Sequence, residues 1–358
     1  MAEALSVLVG REAADRIGKE GFSAHLFSLL LGASGGAKWL ILAHLDRILF
    51  GDFLQRSERP LSVVGSSIGT WRHMCLALPD PAAAIDRMQV GYLNQRYVNS
   101  KPGPEEVSEV SSGILNHVLG PDGAAHIVAH PRIQTHIITA RGRGPNGSAA
   151  RPVLATGLSA AAMSNAVSRR LLQWHFQRVV FHTGDSPQPH LSLQDFNTRF
   201  AGLDAATLRR SLHASGSIPF VLTGERDIPG APPGQYWDGG IIDYHFDLTQ
   251  YCGDGLILYP HFSTRIFPGW FDKFLPGRSA RLTEIEAARR LVLISPSDPF
   301  IAGLPFGKIP DRNDFTKLGE EERIRYWEEC IERSRALAEE FTALMHSSDP
   351  LARISVYA

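Results

Sequence analysis

Up to Pro79 the hydrophobic pattern repeats one unit: an apolar run, a glycine turn, then an amphipathic stretch. Ala24–Leu31 is almost unbroken in its apolar character and ends in glycines, which predicts a buried strand. Ala37–Phe50 carries Leu40, Ile41, His44, Leu45 and Ile48 on one face, the period of a helix. Leu61–Val64 is a second short apolar run that also ends at glycine. Ile68–Leu78 predicts the following helix, stopped by Pro79 because proline lacks a backbone N–H. Strand, glycine turn and helix, twice over, is the local grammar of a layered α/β fold.

From Pro81 to Gly120 the pattern is helical but more polar, with a break at Lys101-Pro102-Gly103-Pro104. Strand-like runs at Arg132–Ala140 and Gln177–His182 are separated first by a loop at Arg141–Arg151, rich in Gly, Pro and Asn. Ala205–Ala214 predicts a helix, Ile218–Leu222 a strand, and Gly230–Gly234 a turn. Gly255–Tyr259 and Leu291–Ile294 predict further strands. Glu320–Met345 predicts one long charged amphipathic helix, a solvated cover with opposite charges at i, i+4 spacing. No repeat and no linker divides the chain, so a single domain over 1–358 is expected.

A formal net charge of −1 gives no global pull toward nucleic acid. Cys75, Cys252 and Cys330 are too few and too scattered for a disulfide framework or a zinc site. Met1-Ala2-Glu3-Ala4 lacks the basic start of a signal peptide, and no apolar run is long enough to span a bilayer. A cytoplasmic protein is expected; nothing in the pattern fixes its oligomeric state.

Three clusters could carry chemistry. Gly65-Ser66-Ser67-Ile68-Gly69 sits between a strand and a helix, where a sharp turn lifts a serine hydroxyl clear of the sheet. Gly32-Ala33-Ser34-Gly35-Gly36 fits the same pattern, so Ser34 rivals Ser67 as nucleophile. That second turn has three functional readings. Ser34 attacks; or Ser34-Gly35-Gly36-Ala37-Lys38 cradles phosphate; or its N–H groups hold an oxyanion for a serine elsewhere. The phosphate loop is disfavoured because Trp39 stands where a hydroxyl is needed. A glycine turn that only packs strand against helix is the plain alternative. The third cluster is Tyr236-Trp237-Asp238-Gly239-Gly240, an acid followed by little side-chain bulk, able to take a proton from a serine within reach or simply to make a turn.

In this order the three clusters resemble the patatin-like phospholipases: a glycine-rich turn, then G-x-S-x-G, then D-G-G far downstream. Ala214-Ser215-Gly216-Ser217-Ile218-Pro219-Phe220 also resembles the small-residue segment before the family's aspartate. The resemblance spans about Leu26 to Asp243. It implies a three-layer α/β/α sandwich with a central, mostly parallel sheet and a Ser67–Asp238 dyad without histidine. It implies an oxyanion hole at Gly35, Gly36, Ala37 and Lys38, with Gly65 and Gly69 framing the nucleophile. It further implies a lipid or other acyl-ester substrate, no cofactor and no metal. Ser34 and Trp39 stand where the family has glycines; Trp39 either packs into the core or narrows the acyl pocket.

Two other readings stay open: a Ser-His-Asp esterase using His175, His182, His213 or His245, and a catalytically silent acyl- or lipid-binding protein. Asp243-Tyr244-His245-Phe246-Asp247 alternates metal-ligating types along a supposed strand, too sparsely for a site. The aromatic segment 265–276 either packs over the core or touches a membrane surface peripherally.

Overall fold

The computed structural model describes residues 3–99, 101–184 and 190–357. Met1 and Ala2, on which the reading of the N-terminus partly rests, lie outside the described residues. Among the described residues eleven strands form one sheet: β1 (Leu5–Val9), β2 (Phe27–Gly32), β3 (Leu61–Ser66), β4 (Ile133–Gly142), β5 (Phe176–His182), β6 (Thr198–Gly202), β7 (Glu225–Arg226), β8 (Gln235–Asp238), β9 (Leu256–Pro260), β10 (Leu291–Pro296) and β11 (Ser355–Val356). Their order is β11-β1-β10-β9-β2-β3-β4-β5-β6, with β8 on β4 and β7 on β8. The centre, from β10 through β9, β2 and β3 to β4, is parallel throughout. Helices flank it, giving the α/β sandwich. The central strands are buried along most of their length, as strands covered on both faces must be: Leu29, Leu30, Leu31, Val63, Val64, Leu258 and Leu293 are fully inaccessible.

Both strand–turn–helix units are present. After β2 the chain passes through a short 3₁₀ segment, Gly36–Leu42, into the helix Ala43–Gly51. After β3 comes the helix Ile68–Leu76. Arg72 of the second helix grips Asp46 of the first through two hydrogen bonds of 2.6 and 2.7 Å, both residues buried. The two units that carry the glycine turns are thereby locked side by side.

Strand β4 does the most to shape the site. Its first half pairs in parallel with β3, ending at Ser66 opposite Ile138. Its second half takes antiparallel β8 on that same side, with Asp238 opposite Thr139. The C-terminal ends of β3 and β8 therefore meet head to head in one lane of the sheet.

Several expectations are corrected. Ile218–Leu222 is a turn, not a strand: Val221 N and Leu222 N both donate to Ile218 O, Pro219 has no N–H to offer a ladder, and Phe220 has φ 67°. The long C-terminal helix is two, Glu320–Arg333 and Arg335–Met345. They meet at buried Ser334, whose hydroxyl donates to Ile331 O. Far from a solvated cover, they bury Trp327, Ile331, Leu337 and Phe341 in the main core. Helices Arg11–Glu20 and Arg151–Val167 and strand β1 arise where the pattern predicted none. Residues 243–247 are not a strand; Asp243 binds Arg178, and Asp247 accepts from Thr249 N.

Candidate active site

Ser67 is the first residue past β3 and holds φ 55° and ψ −130°, a backbone state that costs a non-glycine residue about 1–3 kcal/mol. The surroundings hold it there. Ser67 N donates to Ser215 Oγ at 3.0 Å, and Ser215 Oγ donates to Ile138 O at 2.6 Å. Ser67 O accepts from Thr70 N and Thr70 Oγ1. The flanking glycines serve close approach: a Cβ on Gly69 would collide with the Gly32 carbonyl, and one on Gly65 would lie 2.7 Å from Thr70 N.

The strained turn delivers the Ser67 hydroxyl to Asp238. Ser67 Oγ donates to Asp238 Oδ2 at 2.6 Å. The other carboxylate oxygen accepts from Gly240 N at 2.7 Å, and Asp238 N donates to Ser217 O at 2.8 Å. Segment 214–220, singled out in the sequence only by resemblance, thus staples both partners: Ser215 holds the Ser67 backbone and Ser217 holds that of Asp238. Glycine is needed after the aspartate because a Cβ on Gly239 would meet Ile138 O and one on Gly240 would press on Ser34 Oγ.

No guanidinium or ammonium forms an ion pair with Asp238 among the described residues. Burial therefore dominates, pushing its carboxyl up to about 6 against the opposing pull of the Ser67 and Gly240 hydrogen bonds. A carboxylate so placed accepts a proton near neutral pH far more readily than an exposed one.

Ser34 is placed differently. Its hydroxyl donates to Ser66 Oγ at 3.0 Å, with no acid or imidazole as partner. Its backbone N donates to Tyr244 O. The N–H groups of Gly35, Gly36 and Ala37 donate to no described protein group. Gly35 and Gly36 line the same cavity as Ser67 and Asp238, whereas Ala37 is buried away from its wall. Gly36 has φ 56°, the left-handed state that glycine tolerates. Lys38 reaches the cavity with its side chain, its Nζ 4.8 Å from the centre of the Phe262 ring, and burial lowers its pKa. Trp39 is fully buried in the core, edge-on to Tyr92, and leaves the cavity untouched.

The cavity holds about 200 Å³. Ile218, Pro219, Ile241 and Trp270 supply its apolar wall; Tyr244, Lys273, Asp311, Arg312 and Asn313 complete it. The residues from Tyr244 onward had no recognisable motif and were missed in the sequence. The aromatic density of 265–276 was the only signal, and it pointed to Trp270. That segment is mostly packed, with Ile266 and Phe271 buried and Phe274 67 % exposed.

None of the four histidines considered above lines the cavity. His175 bonds Ser164 Oγ, His213 bonds Glu225, His182 stacks on His136, and His245 accepts from Phe267 N while stacking on Tyr244. Among the described residues no group of three or more His, Cys, Asp or Glu side chains converges as a metal would require, and no helix is long and apolar enough to cross a membrane.

No known family profile and no curated protein matches the chain. Among solved structures, VipD from Legionella pneumophila is similar with a TM-score of 0.38 and 13 % identity, over 93 % of this chain and 72 % of that one.

Proposed function

We propose that this chain is a serine acyl hydrolase of the patatin-like type, cleaving a lipid or other carboxylic acyl ester. The observation that carries the reading is the 2.6 Å hydrogen bond from Ser67 Oγ to Asp238 Oδ2 at the wall of a cavity. Ser67 attacks the acyl carbonyl while Asp238 takes its proton. The oxyanion that forms is held by the N–H groups of Gly35 and Gly36, which have no acceptor among the described residues. Such donors are worth about 3 kcal/mol each in the transition state. Collapse expels the alcohol, which leaves with the proton from Asp238. Water then attacks the acyl-enzyme, Asp238 again takes a proton, and the acid departs as Ser67 recovers its hydrogen.

The proposed dyad works without imidazole because Asp238 is desolvated and lacks a cation of its own. No cofactor enters this chemistry. The reading extends to peripheral lipid contact by a cytoplasmic protein, for which Phe274 is the exposed apolar side chain of segment 265–276.

The test is covalent labelling with a fluorophosphonate probe followed by peptide mapping. Wild type and Ser34→Ala should both label on Ser67, and Ser67→Ala should not label. Label on Ser34, or none on folded wild type, would reject the reading.

A further inference from the structure

Three cationic side chains enter the cavity, and none has a carboxylate partner. Lys38, Lys273 and Arg312 form no ion pair among the described residues. The two acids on the wall act on Lys38 and Lys273 only at longer range, without an ion pair, and their hydrogen bonds go elsewhere. Asp238 is bound by Ser67 and Gly240; Asp311 pairs with Lys308 at 3.1 Å and accepts from Asn313 N at 2.6 Å. Lys273 is held without being neutralised: its Nζ lies 5.0 Å from the ring centre of Tyr244, 5.3 Å from Trp270 and 4.9 Å from Phe274. Lys38 and Lys273 are half-buried and Arg312 is exposed; positive charges gathered in one concave space without an ion-pair partner favour any anion that enters.

We propose that Lys273 and Arg312, assisted by Lys38, form an anion subsite beside the Ser67–Asp238 pair, so that the preferred substrate is an acyl ester carrying a phosphate or carboxylate near the scissile bond. This rests on the hydrolase reading for the word substrate, but the subsite itself does not. Neither Lys273 nor Arg312 belongs to the glycine turns or the aspartate motif; they come from the segments after β9 and after β10. The apolar wall of Ile218, Pro219, Ile241 and Trp270 stands in the same cavity, so the site suits an amphiphile with an acidic head. The depressed pKa of Lys273, about 8, agrees with this crowding: burial lowers it first, then Lys38 and Arg312. An arriving anion would relieve that crowding at Lys273.

The test uses Ser67→Ala, so that turnover plays no part. Dodecyl phosphate, dodecanoate, dodecanol and dodecyltrimethylammonium are titrated below their micelle concentrations and followed by calorimetry. Dodecyl phosphate or dodecanoate should bind at least tenfold tighter than dodecanol and the cationic amphiphile, and whichever anion binds better names the head group. Adding Lys273→Met or Arg312→Gln should each reduce that preference about tenfold, while Lys273→Arg should restore it in a chain of unchanged thermal stability. Equal affinity for charged and neutral amphiphiles, or a preference that survives both charge-removing variants, overturns the subsite. Failure of fluorophosphonate labelling would instead remove the hydrolase reading and leave this binding result legible. If both stand, the ratio of kcat/KM for an anionic over a neutral ester should fall with the same variants.

Discussion

Asp238 and Asp243 flank one glycine-rich turn, and both are buried, 7 % and 1 % exposed. Their surroundings are opposite. Asp243 is gripped by Arg178 through bonds of 2.6 and 2.8 Å, with Arg169 3.5 Å away; Arg178 also binds Asp195. Asp238 has only a serine hydroxyl and a backbone N–H. A buried carboxylate bonded twice to a guanidinium serves as a structural tie. A buried carboxylate answered by neutral donors retains an appetite for a proton, and the donor in front of it is the hydroxyl of Ser67. The difference between tie and base lies in what faces the carboxylate, not in its burial.

The largest effect expected from breaking this contrast is on turnover. Asp238→Asn and Ser67→Ala should each lower kcat by about 10⁴-fold or more, as for members of other hydrolase dyads and triads. Asp243→Asn should reduce it only as far as folding suffers. In wild type, kcat/KM should rise with pH through about 6 as Asp238 loses its proton, and then level off. A profile flat from pH 5 to 8, or an Asp238→Asn variant that keeps its turnover, would break the assignment of the base.

Stability should respond the other way round. Removing the charge of Asp243 leaves Arg178, itself fully buried, with one of its two carboxylate partners, so Asp243→Asn should lose about 3 kcal/mol in urea unfolding. Removing the charge of Asp238 should help. Its folded pKa of about 6 lies above the ordinary 3.8. Between about pH 4 and 6 the folded chain therefore holds a proton that the unfolded chain has released, and stability declines as pH rises through that window. At 1.36 kcal/mol per pH unit, the loss by neutral pH is about 3 kcal/mol. Asp238→Asn should recover about 2 to 3 kcal/mol at pH 7.5 and nothing at pH 4. A variant less stable than wild type at pH 7.5 would mean that the carboxylate is a tie after all.

The same contrast explains what the sequence revealed. The turn at Ser67 and the acid at Asp238 were legible because local constraints surround them: glycines that cannot carry a Cβ, and strands that end beside them. A layered α/β fold was legible from β2 and β3 for the same reason; the three-layer arrangement came only from the resemblance. That Asp243 would bind Arg178 was not legible, because the partners come from different strands and no spacing links them. Alternation at 243–247 showed only metal-ligating residue types, too sparse for a site, and gave no hint of an ion pair. The helix Arg151–Val167 escaped because its Ala- and Ser-rich pattern has a weak apolar face. Strand β1 escaped because its place is set by β10, far along the chain. Lys273 and Arg312 were equally hidden: a lone basic residue looks the same whether it faces water or a cavity.

The smallest effect concerns how Ser67 is held. Arg178 ties its strand by charge, whereas the strained turn at Ser67 rests on one neutral hydroxyl, Ser215 Oγ, placed between Ser67 N and Ile138 O. Ser215 is fully buried, so Ser215→Ala leaves one buried N–H and one buried carbonyl unpaired without opening a large cavity. Stability should fall by about 1 to 2 kcal/mol. The informative measurement is the rate of fluorophosphonate labelling at a temperature where the variant is fully folded. If Ser215 holds the strained φ of Ser67, labelling should slow about tenfold while the pH at half-maximal labelling stays near 6, since Asp238 keeps its own partner in Ser217. Unslowed labelling would mean that β3 and its glycines impose the turn by themselves. A moved midpoint would show that Ser67 and Asp238 are positioned as one unit through segment 214–220.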